Sequence, residues 1–270
     1  MCRLLGIVSR EEQAFRRCLC DAPRSLAVLG REHTDGWGIA VHDPHAGWNL
    51  RKHCVSASSD PAFDAAVADA AGAVLIAHVR KRTVGAVSFD NTHPFRCGEW
   101  VFAHNGTLEH VAELRAAIAW AGGKPKGDTD SELLFAFLID RLSSHRGAVG
   151  SRIVTDMVLA RAVQDLAGMT SLGTATFVLS DGVVLYAYRH GRPLYLLERR
   201  STNDRLDAIL VASEPVTSGE EWTPIAERTL LVVWRRPSLG WAVMLEPQER
   251  FSPNRLLDTI RPAGDRSKKA

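Results

Sequence analysis

A cysteine stands at position 2 of this chain, in Met1-Cys2-Arg3-Leu4-Leu5-Gly6-Ile7-Val8. A residue this small after the initiator invites aminopeptidase removal of Met1. Cys2 would then carry a thiol and a free α-amine. An α-amine titrates near pH ~8 and a thiol near ~8.5, so the amine is a usable base for the thiol. Nucleophile and base then come from one position, as in the threonine–N-terminal-amine arrangement. The plainer reading is an ordinary residue on a frayed terminus. The apolar run Leu4 to Val8 is expected to bury as a strand and hold that terminus still.

Three further stretches carry residues with chemical potential. Arg80-Lys81-Arg82 closes the apolar run Val74 to Val79. Such a cluster is either a solvated strand end or a carboxylate receiver, since arginine presents a rigid fork matched to a carboxylate. His104-Asn105-Gly106 follows the apolar run Trp100 to Ala103. Asn-Gly is usually a turn. Here a helix is expected at once, Leu108 to Trp120, with Thr107 as its N-cap. Such a junction points an amide side chain and a backbone N–H the same way, which suits an oxyanion. Gly127-Asp128-Thr129-Asp130-Ser131-Glu132 opens another helix. Capping and the helix dipole account for Asp128 and leave Asp130 and Glu132 less fully explained. His78, His93 and His104 lack the short paired spacing of a zinc site, so no metal is expected.

The elements that must position these residues follow from periodicity and turn chemistry. Glu11 to Leu29 reads as a mixed helical stretch broken by Pro23. Ile39 to Val41 and Trp48 to Lys52 read as a hairpin around Asp43-Pro44-His45-Ala46-Gly47. Pro61 to Ala71 reads as a short helix with proline near its start. Val74 to Arg80 is a buried strand by its continuous apolar run. Leu133, Leu134, Phe137, Leu138 and Leu142 mark the apolar face of the helix after Asp130. Ile153 to Leu166 is a second amphipathic helix. The remainder turns to strands: Thr174 to Leu179, Val183 to Tyr188, Leu194 to Leu197, Ala208 to Ala212, Leu230 to Trp234 and Trp241 to Leu245. Asp181-Gly182 is a strong hairpin signal between the first two. One domain is expected over residues 1–250, with a flexible basic tail over 251–270.

Bulk composition narrows the class. At 270 residues, 46% hydrophobic and 24% charged, the chain reads as an ordinary globular protein with room for a large core. A net charge of +2 gives no reason to expect binding to nucleic acid or to an anionic membrane. No segment reaches the ~18 apolar residues of a membrane helix, and no signal peptide is evident. Five cysteines without paired spacing do not form a disulfide framework. A reducing cytoplasm is the expected compartment. A homo-oligomer is compatible with the sequence.

Taken together, these motifs resemble those of the class II glutamine amidotransferases, members of the N-terminal nucleophile hydrolase superfamily. The resemblance rests on Met1-Cys2, Asp35-Gly36-Trp37-Gly38-Ile39-Ala40, and His78-Val79-Arg80 with Thr83 and Gly85. It rests also on Asn91-Thr92-His93-Pro94-Phe95, His104-Asn105-Gly106 and Asp130-Ser131-Glu132. It covers residues 1 to about 140 and thins afterwards. Ser213-Glu214-Pro215 resembles the stand-alone branch, which lacks an attached synthase domain.

That resemblance implies an α+β fold of four layers, αββα, with two packed and largely antiparallel sheets. It implies Cys2 as the nucleophile forming a γ-glutamyl thioester, with its own α-amine as base through a water. It implies Asn105 and Gly106 as oxyanion donors, Arg80 and Thr83 on the substrate α-carboxylate, and Asp130 on the α-ammonium. It also puts His104 in the substrate-binding set and Trp37 at the pocket mouth. No cofactor is implied. Val84 and Lys81 stand where synthase-bearing members often carry histidine and tryptophan, and Trp37 replaces a small residue. These departures leave the preference for glutamine itself open.

Four functions follow from this reading. The first is a glutaminase passing ammonia to a partner synthase. The second is a hydrolase of a substituted γ-glutamyl amide or peptide. The third is a non-catalytic scaffold, against which the full reactive set argues. The fourth is an acylase of non-glutamyl amides, against which Arg80 and Asp130 argue.

Overall fold

Residues 2–120, 123–144, 152–169 and 172–245 are described in a computed structural model of the chain. The expected tail over 251–270 lies outside the described residues. The chain opens with β1 (Arg3–Ala14), a one-turn π-helix (Arg17–Asp21) and α1 (Leu26–Leu29). Next come β2 (Trp37–Asp43), β3 (Gly47–His53), α2 (Pro61–Ala68) and β4 (Ala71–Val79). β5 (Phe95–Cys97) and β6 (Trp100–Leu108) precede three helices, α3 (Val111–Ala116), α4 (Asp130–Ser143) and α5 (Arg152–Gly168). The second half holds β7 (Gly173–Ser180), β8 (Val184–Tyr188), β9 (Tyr195–Arg200), β10 (Leu206–Ala212) and β11 (Thr223–Pro224). β12 (Leu230–Trp234) and β13 (Gly240–Leu245) end it.

Two antiparallel sheets result. One runs β11-β9-β10-β1-β4-β2-β3, the other β13-β12-β8-β7-β6-β5. Strand alternation sorts their side chains into three apolar layers. Leu4, Val8 and Ile76 meet Val101, Ala103 and Val178 between the sheets. Leu5, Ile7 and Leu75 turn the other way, against Phe63 and Val67 of α2. Phe102 and Phe177 pack under Phe135 and Leu138 of α4, with Leu159 of α5 alongside. The Phe102 and Phe135 rings stack 5.1 Å apart. The order is helix, sheet, sheet, helix, the four-layer αββα arrangement.

The β2–β3 hairpin, α2, β4 and the strands of the second half form where the sequence placed them. Two segments differ. Glu11 to Ala14 continue β1 instead of starting a helix, because Gln13 and Ala14 pair with Gly72 and Ala71 after a bulge. Asn105-Gly106 is not a strand–helix turn. It lies inside β6, paired with Thr176 and Ala175 of β7. The helix beyond shrinks to Val111–Ala116, and its N-cap is His110 in the left-handed region, not Thr107. A full ladder with β7 outweighs the local turn preference of Asn-Gly.

Among the described residues, no helix is long and apolar enough to cross a membrane.

Gly38 shows how tightly the layers close. Its inward face lies against the 93–94 backbone, where a methyl would collide with the His93 carbonyl oxygen and come within 2.7 Å of Pro94 Cδ. Overpacking of this kind costs roughly 1–3 kcal/mol. Gly38→Ala should therefore lower Tm clearly in a thermal melt, and an unchanged Tm would contradict this packing.

Candidate active site

The candidate residues gather at one end of the sandwich because of strand direction. β4 runs antiparallel to both β1 and β2, and Val79 sits between Arg3 and Trp37. One step further, Arg80 lies between Cys2 and Gly36, its N–H bonded to the Gly36 carbonyl at 2.7 Å. Cys2, His78 and Arg80 share the alternation of Leu4 and Ile76, so they face the space between the sheets. Asn105 shares the alternation of Ala103 and faces the same space from β6.

Cys2 Sγ is held by the main chain of Lys81, donating to its carbonyl at 3.2 Å and accepting from its N–H at 3.3 Å. Burial pushes the thiol up from its ordinary value. The Lys81 contact, Arg80 and Arg3 pull it down by less. The thiol form dominates at neutral pH.

Separate hydrogen bonds, joined by short stretches of main chain, link the neighbourhood of this thiol to β6 and α4. Thr83 accepts from Thr107 Oγ1 at 3.4 Å, tying the segment after Arg80 to the strand of Asn105 and Gly106. Leu108 N–H then donates to Asp130 Oδ2 at 2.6 Å, and Asp130 Oδ1 accepts from Ser131 N–H at 3.0 Å. Thr107 N–H donates to Thr174 Oγ1 and Glu109 N–H to the Leu172 carbonyl. Ladder alternation sends the Gly106 N–H the opposite way, on the side of Leu108 and off β7. Gly106 cannot carry a side chain, because a Cβ would strike the Thr174 carbonyl and His104.

Arg80 is only 3% exposed. Nη1 donates to the Ala86 carbonyl and Nη2 to the Val84 carbonyl, each at 3.0 Å. Its fork therefore shapes the loop after β4. Two of its five N–H groups are used in these bonds. The cap of α4 is Thr129, whose Oγ1 accepts from Glu132 N–H at 3.2 Å. Asp128, the expected cap, instead accepts from Asn91 Nδ2 at 2.6 Å.

Two residues expected at the substrate lie elsewhere. Trp37 is 1% exposed and faces α2, with its indole N–H on Asp60 Oδ2 at 2.8 Å and its ring against Phe63. It shares the alternation of Ile39 and Val41, away from the space between the sheets, so it does not narrow the mouth. His104 is one step out of phase with Asn105 and faces α4. Nδ1 meets Ser131 Oγ at 2.9 Å and Nε2 the Thr174 carbonyl at 3.1 Å. It locks α4 to the second sheet.

Other groups near Cys2 had no role in the site assigned to them from the sequence. Glu214 joins Arg3 and Arg24, each at 2.8 Å, and Ser213 Oγ accepts from Leu4 N–H at 3.1 Å. The familiar Ser213-Glu214-Pro215 thus clasps the start of β1. His33 is 2% exposed, and burial with the charge of Arg3 pushes it down to about 4. His78 falls to about 3 by burial, then the charge of Arg80. Its ring lies 4.4 Å from that of His93, also lowered by burial. All three imidazoles are neutral at pH 7. Among the described residues, no group of three or more His, Cys, Asp or Glu is placed to hold a metal ion.

The raised thiol sets a pH dependence. Thiolate grows about tenfold per pH unit below the thiol pKa. Alkylation of Cys2 by iodoacetamide, followed by intact mass, should be slow at pH 7 and still climb above pH 9. A plateau near neutrality would contradict the burial argument.

Comparison with known proteins places this architecture. The family model described as "Glutamine amidotransferases class-II" matches residues 1–207. A Haemophilus influenzae protein provisionally named a glutamine amidotransferase is 27% identical over 83% of this chain and 81% of its own length. The γ-glutamyl-hercynylcysteine sulfoxide hydrolase of Mycobacterium tuberculosis is 25% identical over 87% of this chain and 94% of its own length. A glutamine aminotransferase class-II domain protein from Silicibacter pomeroyi shares the fold, with a TM-score of 0.62 at 22% identity, covering 89% of this chain and 98% of that one. The family match spans well over half of the chain and ends past the last candidate residue on β6 and α4, so this protein belongs to the class II glutamine amidotransferases and is an enzyme of that type.

Proposed function

We propose that this chain cleaves the γ-amide of glutamine through a γ-glutamyl thioester on Cys2, giving glutamate and ammonia. The observation that carries this reading is the meeting of β1, β4, β6 and α4 at one end of the sandwich. There Cys2 bonds to Lys81 beside Arg80, Thr83 bonds to Thr107 beside Gly106, and Asp130 accepts from Leu108, which supports placing the four groups in one pocket.

The chemistry follows from the groups available. With Met1 removed, the α-amine of Cys2 takes the thiol proton through a water, and sulfur attacks the amide carbon. The Asn105 side chain and Gly106 N–H hold the developing oxyanion. Collapse expels ammonia, protonated by the amine. Water then cleaves the thioester, releasing glutamate and restoring the thiol. Arg80 has N–H groups beyond the two on the Val84 and Ala86 carbonyls, and these receive the α-carboxylate with help from Thr83. Asp130 has lone pairs beyond those on Leu108 and Ser131 N–H, and these receive the α-ammonium. The ammonia passes to a partner synthase.

A second reading keeps the mechanism and changes the leaving group. It is favoured by the Mycobacterium tuberculosis hydrolase, which aligns over nearly its whole length and by name acts on a substituted γ-glutamyl compound. The experiment is glutamate release from an untagged protein offered glutamine beside a panel of γ-glutamyl amides and peptides. Fast release from glutamine alone supports the first reading, and preference for a substituted amide supports the second. No release from any of them, with Met1 confirmed absent by mass, would overturn both. On the preferred substrate, Asn105→Ala should lower kcat about 10²–10³-fold, the usual cost of one oxyanion donor, with KM little changed. Wild-type kcat in that variant would remove Asn105 from the mechanism.

A further inference from the structure

A second cleft opens on the edge of the sandwich, where β3 and β5 face the start of α4. Its volume is about 520 Å³, within the range of small-molecule sites. None of the residues assigned above to glutamyl chemistry lines it.

Lys52 stands at its inner end. It is 8% exposed, and Nζ donates to the Thr92 carbonyl at 2.8 Å. Phe89 and Phe95 lie beside the ammonium, their ring centroids 4.5 and 5.6 Å from Nζ. Among the described residues, no carboxylate comes within ion-pair distance of Nζ. An ammonium has three donors, and among the described residues one of them meets a hydrogen-bond acceptor. A buried cation without a paired anion is costly, and a ligand anion relieves that cost. The mouth adds Arg96, Lys124 and Lys126, against Asp90 and Glu132. Among the described residues the lining carries four cations to two carboxylates. Its walls are apolar, from Leu50, Phe135 and Ile139, and Phe89 is 57% exposed over the opening.

We propose that this cleft is a second binding site, distinct from the glutamyl site, for a small organic anion with an aromatic body. Its carboxylate or phosphate reaches Lys52, and its ring lies between Phe89 and Phe135. The site is coupled to the first by covalent and hydrogen-bonded structure. Thr92, which holds Lys52, follows Asn91, and Asn91 Nδ2 binds both the Ala86 carbonyl and Asp128. Ala86 is one of the two carbonyls that orient Arg80.

The test is isothermal titration of the full-length protein with phenyl phosphate and with benzoate, using benzylamine as the cationic control. Saturable one-site binding of either anion is expected, and none of benzylamine. Lys52→Met keeps the apolar stem and removes the charge, and should weaken binding about tenfold or more, as for loss of a charge-assisted hydrogen bond. Because that variant alters a buried residue, the double variant Lys124→Ala with Lys126→Ala is measured beside it. These two side chains are exposed, so the fold should stand while affinity falls several-fold.

Affinity should also fall as pH rises through about 8. Burial lowers Lys52 to that value, and only the ammonium binds an anion. Asp90, Glu132 and Cys54 oppose that lowering, while Lys126 adds to it.

No saturable binding of either anion would overturn the proposal, as would binding unchanged in both variants. Binding lost on alkylation of Cys2 but kept in both lysine variants would also overturn it, because the ligand would then occupy the glutamyl site.

Discussion

The site depends on β1 being held on every side. Its Leu5 to Val8 segment pairs with β10 on one edge and with β4 on the other. Its two faces bury Leu4 and Val8 between the sheets and Leu5 and Ile7 against the helices. A chain terminus normally frays. Here the Ser213 hydroxyl and the Arg3–Glu214–Arg24 pairs clamp the residues directly after Cys2. For the nucleophile role proposed for Cys2, fixing it this way removes conformational entropy that a frayed segment would lose on binding substrate.

The same burial that fixes Cys2 works against its ionisation. Desolvation outweighs the neighbouring Arg80 and Arg3 charges and the Lys81 contact. The neighbourhood therefore does not make a stable thiolate. In the proposed mechanism the thiol gives up its proton only as the bond to carbon forms, which is the task of a nearby base. The histidines around the pocket do not supply an extra positive charge, since burial keeps His33 and His78 neutral at pH 7. The positive field at the pocket comes from arginine, which stays charged and suits a carboxylate.

Much of this arrangement was legible in the sequence, and the exceptions share a cause. Continuous apolar runs marked β4 and β12, turn residues marked the β2–β3 hairpin, and a 3.6-residue period marked α4. Motif residues far apart in sequence were grouped by resemblance, and strand direction explains how Cys2, Arg80 and Asn105 come to one end. What escaped was the phase of side chains along strands whose partners were unknown. Trp37 and His104 belong to recognised motifs, yet each turns to a helix layer, one residue out of step with the pocket. Asn105-Gly106 looked like a turn because its partner β7 begins 65 or more residues later. The Lys52 cleft left no signal, since its walls come from β3, β5 and α4 and only the fold assembles them.

The claim on which the account turns is that Cys2, freed of Met1, carries the acyl group. It is tested most directly by acid-quenching the native-terminus protein during turnover of the preferred γ-glutamyl substrate and measuring its intact mass. The account predicts a transient species heavier by one glutamyl group, lying on Cys2 after proteolysis, discharged by hydroxylamine and missing from Cys2→Ala. Steady turnover with no such adduct, or with the adduct on another residue, would contradict it.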